Sequence, residues 1–369
     1  MEESHSLRVG VVFGGRSTEH RVSIVSARTV AEALRSAGHR MVPLAIAQDG
    51  CWVEPAVGLE VLSGARDALE PVGTSVRASL AVLASAEIDA AFPIVHGTWG
   101  EDGTLQGLFE MLDVPYVGAD VTSSAVCMDK LLCKRVLSAA GLPVVDYEAV
   151  SKRQRAATLD DPEAEAALTG RALRLGLPLF VKPTIGGSSV GVRKVTSREE
   201  ILPALDSALS FASAALIETA IDGRELECAV LGPSGAIEAS GLGEIVPGRE
   251  FYDYADKYLE DGAQLIHRAE LEPAVEAELR RLSAEAFEAV GGSGLARVDF
   301  LLDAEGPKIN EINTLPGFTA ISMYPKLWRV AGVETPQLVD RLVGIAVDRH
   351  RERRDLDVSI RSLLASLAE

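Results

Sequence analysis

The chain has no apolar run long enough to span a bilayer, no CxxC pair, no basic block and no internal repeat. Without a stretch of about 20 apolar residues, no transmembrane helix is expected. Cys51, Cys127, Cys133 and Cys228 are scattered, and the close pair Cys127 and Cys133 matches no zinc spacing and has no histidine cluster to join. All four read as small hydrophobes in a reduced compartment. Met1-Glu-Glu-Ser-His-Ser-Leu7 has neither a cationic start nor an apolar core, so the expectation is a cytoplasmic chain without a secretory signal. Lys and Arg number 36 against 54 Asp and Glu, a net charge of −18. No cationic stretch could follow a polyphosphate backbone, so nucleic acid and membranes are not expected partners. A small anionic substrate would depend on single lysines and arginines set among glycines.

What is present points to an α/β protein. The length of 369 residues suggests about two or three domains. Leu7 to Phe13 is an apolar strand ending in Gly14-Gly15, and Val22 to Leu34 has helical spacing. Met41–Ala47 and Ile88–Val95 are further strands of an open parallel sheet, with a helix after the second that turns Leu105, Leu108, Phe109 and Leu112 to one face. A helical stretch from Ser123 to Ala140 stops at Gly141-Leu-Pro143. Beyond it, 179–183, 192–195, 214–221, 226–231 and 237–246 read as strands of a mostly antiparallel sheet. Pro247 to Arg268 has no periodicity but gathers four aromatics among charges, the composition of a functional lid. Pro273–Val290 is a helix, and the tail is helical from about Thr335.

Several residues carry chemistry. Leu295–Leu302 and Lys308–Asn313 flank the turn Asp303-Ala-Glu-Gly306. Strand alternation turns Glu311 and Asn313 to one side, and a hairpin lets Asp299 face them. Such hard oxygen ligands suit Mg²⁺ bridging phosphates, not zinc; an edge hairpin with a solvated polar face has the same pattern. Lys182-Pro-Thr-Ile-Gly-Gly-Ser188-Ser189-Val-Gly191 lies between strands, where glycines and hydroxyls can turn N–H and O–H groups toward a phosphate. Lys130 sits on a helix. Glu218 ends a strand and Glu225 follows, both able to accept from an adenine amine or a ribose hydroxyl. Glu19 opens a helix, where it could hold an ammonium, and His96 ends a strand in a glycine-bearing loop.

GGRSTEHRVS, HGTWGEDGTLQG, MDKLLCK, VKPTIGGSSVGV, IETAIDGRE, FYDYADKY, ARVDF and NEINTLPGFTAISMYP follow one another in this order. That series resembles D-alanine:D-alanine ligases of the ATP-grasp superfamily over about residues 7–345. The resemblance implies an ATP-grasp fold: an N-terminal open parallel-sheet domain (1–122), a central subdomain (123–231) and a C-terminal subdomain (232–369) with a lid at 247–268, ATP lying between two antiparallel sheets. It implies that Lys130, Lys182, Ser188 and Ser189 meet phosphates, Glu218 and the main chain near Ile221 meet adenine, and Glu225 meets ribose. Asp299, Glu311 and Asn313 would hold two Mg²⁺ ions, with Mn²⁺ as a substitute. Glu19 and His96 would receive the first D-alanine, Lys257, Ser322 and Met323 the second, and Arg297 with the Gly317 N–H the oxyanion.

The implied reaction makes D-alanyl-D-alanine for peptidoglycan. The first carboxylate is phosphorylated by ATP and the second amine attacks the acyl phosphate. Tyr258, joined to the glycine-loop serine Ser188 and to Glu19, accompanies D-alanine as acceptor in the family, whereas D-lactate and D-serine ligases have different lids. These ligases, or another ATP-grasp carboxylate–amine ligase, are the alternative. Thr219 and Ala220 replace a bulkier pair, and Ile185 a charged residue of some members, which bears on ATP affinity. The family also implies a homodimer through the first domain. A nucleotide sensor that kept the fold would have no use for Glu19, Arg297 and Ser322 together.

Overall fold

The computed structural model describes residues 6–248, 262–356 and 367. Strands β1 (Arg8–Gly14), β2 (Arg40–Ile46) and β3 (Ala90–Pro93) form a parallel sheet in the order β2-β1-β3. Val9, Val11, Val12 and Phe13 are fully buried, as a continuous apolar run requires when both sheet faces are covered. Helix His20–Ser36 follows β1 and contributes Ile24, Ala27, Val30 and Leu34 to the same core. Helix Thr335–Arg354 returns from the far end of the chain to this core with Leu338, Val339, Leu342 and Val343.

Two antiparallel sheets face the cleft. Strands β4 (Tyr147–Ser151), β5 (Leu179–Pro183), β6 (Arg193–Val195) and β7 (Ala214–Thr219) pair in the order β4-β7-β5-β6. Strands β8 (Arg224–Gly232), β9 (Glu238–Val246), β10 (Gln264–Ile266), β11 (Gly294–Asp303) and β12 (Gly306–Asn313) pair in the order β10-β9-β8-β11-β12. Helices Pro162–Leu173 and Ile201–Phe211 cover the first through Leu168, Ile201 and Leu205. Helix Pro273–Ala289 covers the second through Leu279, Leu282 and Phe287.

The structure departs from the sequence expectation at five places. The strands between 179 and 246 belong to two sheets, since β8 pairs with β9 and β11 and not with β7. The second sheet thereby takes in residues on both sides of the expected 231/232 division. Gly223 makes the crossing possible, because a Cβ there would lie 2.3 Å from the Leu302 carbonyl oxygen. The stretch 123–140 is two helices, Val121–Met128 and Lys130–Ala139, separated by Asp129, whose side chain caps the second by accepting from the N–H groups of Leu131 and Leu132. Leu112 lies just past helix Thr104–Met111 and is exposed, while Leu105 and Phe109 are buried. Within the expected lid, β10 pairs with β9; residues 249–261, with Lys257 and Tyr258, lie outside the described residues. Strand β4, too short to register as an alternating pattern, is held by β7.

Candidate active site

The hairpin forms as its alternation predicts, with Asp299 opposite Glu311 and Arg297 opposite Asn313 across β11 and β12. The register shifts between Asp299 and Phe300, an irregularity that re-aims side chains where a strand serves a site. Arg297 donates from Nε and Nη2 to the two oxygens of Asp299, at 2.7 Å each, and its Nε lies 3.2 Å from Glu227 Oε1. Burial disfavours the guanidinium charge, yet Asp299, Glu227 and Glu311 outweigh it and hold Arg297 well above its ordinary value. It is a fixed cation. Asn313 Oδ1 accepts from the Leu315 N–H at 3.0 Å, which turns the chain into the segment 314–317. There Gly317 leaves room for Ser322: a Cβ would sit 2.7 Å from the Ser322 hydroxyl.

The break at Asp129 brings Lys130 to the start of its helix, where its N–H donates to the Thr184 carbonyl at 2.8 Å. A lysine is unfavourable at a helix N-terminus, so here it adds to a positive potential suited to an anion. Its Nζ donates to the Gly186 carbonyl at 2.7 Å and lies 3.4 Å from Glu311 Oε2. Thus it bridges the glycine loop and the hairpin. Lys182, on β5, pairs with Glu218 Oε2 at 2.6 Å and donates to Asn310 Oδ1 at 3.2 Å. Lys134, one helical turn beyond Lys130, lies 3.2 Å from Glu218 Oε1. Burial opposes ionisation of Glu218, but the charges of Lys182 and Lys134 hold its carboxyl below the ordinary value. Burial also pushes Lys134 down, against the pull of Glu218.

Glu19 stands at the N-cap of His20–Ser36 without capping it. Its carboxylate reaches across the cleft instead, where Ser188 Oγ donates to Oε1 at 2.6 Å. Ser188 and Ser189 hold left-handed backbone, φ +51° and +57°, a conformation L-residues adopt at a cost. His96 is buried, with Nδ1 3.1 Å from the Leu315 carbonyl and 3.5 Å from Glu101 Oε1, and Nε2 3.2 Å from Ser26 Oγ. Burial works against its charge, yet the hydrogen bond and charge of Glu101, with Glu19 and the Leu315 carbonyl, raise its pKa. Burial likewise raises Glu101. His96 and Glu101 therefore hold protons more tightly than exposed groups.

Two cavities meet here. The larger, about 650 Å³ between the antiparallel sheets, is lined by Lys130, Lys182, Ser188, Ser189, Glu218, Ile221, Glu225, Asp299 and Glu311. The smaller, about 200 Å³, is lined by Glu19, His96, Lys130, Ser188, Arg297, Glu311, Asn313, Gly317, Ser322 and Met323. Lys130, Ser188, Arg297 and Glu311 belong to both walls. Every candidate residue named from sequence that falls among the described residues lies in this region; Lys257 and Tyr258 are outside them. Sequence reasoning missed Glu101, Lys134 and Glu227. For two of them a signal was present: Lys134 shares a helix face with Lys130 at i+4, and Glu227 shares a strand face with Glu225. The four cysteines are buried free thiols. Cys127 lines the smaller cavity.

A parallel-sheet domain set against two antiparallel sheets around a cleft defines an ATP-grasp protein, and known structures agree. The D-alanine–D-alanine ligase of Coxiella burnetii superposes with a TM-score of 0.80 at 38% identity, covering 99% of each chain. The VanG D-Ala:D-Ser ligase of Enterococcus faecalis gives 0.77 at 31%, over 93% of this chain and 100% of that one. The family models for the D-ala D-ala ligase N-terminus and C-terminus match residues 8–119 and 136–344. D-alanine–D-alanine ligases of Mycolicibacterium vanbaalenii and Mycobacterium avium are each 44% identical, over 93% and 95% of this chain and 98% and 99% of theirs. The chain belongs to the D-alanine–D-alanine ligase family.

Proposed function

We propose that this chain joins two D-alanine molecules into D-alanyl-D-alanine, using ATP and an acyl phosphate, as a step in peptidoglycan precursor synthesis. The observation that carries the reading is that one small cavity is walled both by the hairpin residues Arg297, Glu311 and Asn313 and by Glu19 and His96 of the first domain. Groups suited to phosphoryl chemistry thus adjoin groups suited to an amino acid.

A carboxylate is a poor electrophile at neutral pH, so one must be phosphorylated first. The carboxylate of the first D-alanine, its ammonium held by Glu19 beside His96, attacks the γ-phosphorus of ATP and releases ADP. Lys130 and Lys182 neutralise the phosphates while Ser188 and Ser189 close over them. Glu218 and the main chain at Ile221 receive adenine, and Glu225 receives ribose. The amine of the second D-alanine, lodged by Ser322, Met323 and Lys257, then attacks the acyl carbon. Arg297 and the Gly317 N–H meet the oxyanion, each such donor contributing about 3 kcal/mol, and phosphate leaves. Tyr258 closes the Glu19–Ser188 link on the acceptor side.

The donor set fits Mg²⁺. A cation would rest on Asp299, Glu311 and the Asn313 amide, with positions left over for phosphate oxygens and water. Asp299 and Glu311, opposite each other across β11 and β12, give this place its negative charge. These residues would hold two Mg²⁺ ions, with Mn²⁺ able to replace them, which when bound supply charge neutralisation at the transferred group. The same reading makes the enzyme a cytoplasmic homodimer joined through the first domain. It keeps a three-part chain, 1–122, 123–231 and 232–369. Among the described residues no helix is long and apolar enough to cross a membrane.

The test is ADP formation by the purified chain with ATP, Mg²⁺ and D-alanine. D-alanine-dependent ADP with L-alanine inert supports the reading; equal ADP formation with and without D-alanine contradicts it.

A further inference from the structure

Glu227 lies on β8 directly opposite Asp299 of β11, which lies opposite Glu311 of β12. Residues paired across an antiparallel ladder share a face, so these three carboxylates form a row with Glu227 and Glu311 at its ends. Glu227 is only 4% exposed and lines both cavities. A carboxylate so buried is stable when a cation faces it, and Arg297 Nε is 3.2 Å away. The guanidinium therefore has Asp299 in a bidentate grip and Glu227 at its side.

On the ligase reading, on which this inference rests, Asp299 is wanted twice. A carboxylate that gives both oxygens to a guanidinium has few lone pairs left for a divalent cation, and the two positive groups repel each other. Were Asp299 the sole anchor, a cation settling between Asp299 and Glu311 would drive Arg297 out of the oxyanion position. Glu227 sits at the opposite end of the row from Glu311. We propose that Glu227 is a positioning residue for Arg297: it keeps the guanidinium at the cavity wall while Asp299 and Glu311 engage the cation. Arg297 thus turns from Asp299 toward Glu227 without leaving the site.

The experiment compares wild type, Glu227→Gln, Glu227→Asp, Arg297→Lys and the Glu227→Gln/Arg297→Lys double variant, each checked for an unchanged melting transition. Glu227→Gln should lower kcat about tenfold or more with KM for ATP within about twofold of wild type, and Glu227→Asp should recover most of the loss. In the Arg297→Lys background Glu227→Gln should cost less than about twofold, because its effect passes through Arg297. A readout without turnover is calorimetric titration of ADP with and without Mg²⁺. Glu227→Gln should shrink the tightening that Mg²⁺ gives while leaving metal-free ADP binding unchanged, since Arg297 then competes for Asp299. Wild-type kcat and a wild-type Mg²⁺ effect in Glu227→Gln would overturn the proposal, as would a loss that persists in full beside Arg297→Lys. Should wild type form no ADP in response to D-alanine, the ligase reading fails, and the ADP titration still decides the role of Glu227.

Discussion

Replacing Ser188 by alanine removes the hydrogen bond that its hydroxyl donates to Glu19 across the cleft and leaves the backbone strained. Ser188 Oγ donates to Glu19 Oε1 at 2.6 Å, from a residue held at φ +51°. A hydroxyl bond to a carboxylate contributes about 1.5–3 kcal/mol, so Ser188→Ala should lower kcat/KM for D-alanine roughly 10- to 100-fold. Alanine keeps the left-handed strain of about 1–2 kcal/mol, which glycine sheds. Glycine also adds about 0.5–1 kcal/mol of chain entropy to be lost on ordering the loop. Taking both together, Ser188→Gly should stand roughly threefold above Ser188→Ala and still below wild type. The assay is the initial rate of phosphate release over a range of D-alanine at saturating ATP. A Ser188→Ala enzyme with wild-type kcat/KM would show that the bond does not close the site. A glycine variant below the alanine variant would refute the strain argument.

Three further outcomes are expected. His96 has a raised pKa in the folded chain, for which burial is outweighed by Glu101, Glu19 and the Leu315 carbonyl; its contribution to stability is full below the ordinary imidazole value and is lost as pH rises through the folded value. Glu101→Gln should therefore lower the His96 midpoint, read by proton NMR of the imidazole, and lessen the loss of stability with rising pH; an unmoved midpoint would contradict the pairing. Glu218→Leu leaves Lys134 and Lys182 buried without their shared counter-ion and should cost about 3–5 kcal/mol in urea denaturation. Lys134→Met, which keeps the Lys182–Glu218 pair, should cost clearly less, and the reverse order would count against the triad. Asp299→Asn should abolish turnover while the circular dichroism spectrum stays that of wild type; full activity would remove Asp299 from the mechanism.

The parts of the fold legible in the sequence were those set by local pattern. The alternation in 295–302 and 308–313 with its Asp303–Gly306 turn specified the β11–β12 hairpin and the facing of Asp299 and Glu311. The loop at 184–191 announced itself by its glycines. Partition of the strands between two sheets was not legible, because β7 and β8 have the same apolar signal and only tertiary pairing separates them. The helix break at Asp129 was hidden by continuous helical spacing, although an Asp that caps the following turn was its signal. Glu101 could not be told from a solvated loop carboxylate, since its role arises from a packed histidine five residues earlier in the chain. Agreement of many short motifs in one order carried the function further than any single one of them.

The central claim is that phosphate activation and peptide-bond formation share the cavity walled by Glu19, Lys130, Arg297 and Glu311. Its most direct test is mass spectrometry of the product formed at neutral pH from ATP, Mg²⁺, D-alanine and equal D-serine and D-lactate. D-alanyl-D-alanine is expected as the main product, with one ADP and one phosphate released per dipeptide. A main product of D-alanyl-D-serine or D-alanyl-D-lactate, or ADP formed without any dipeptide, would contradict it.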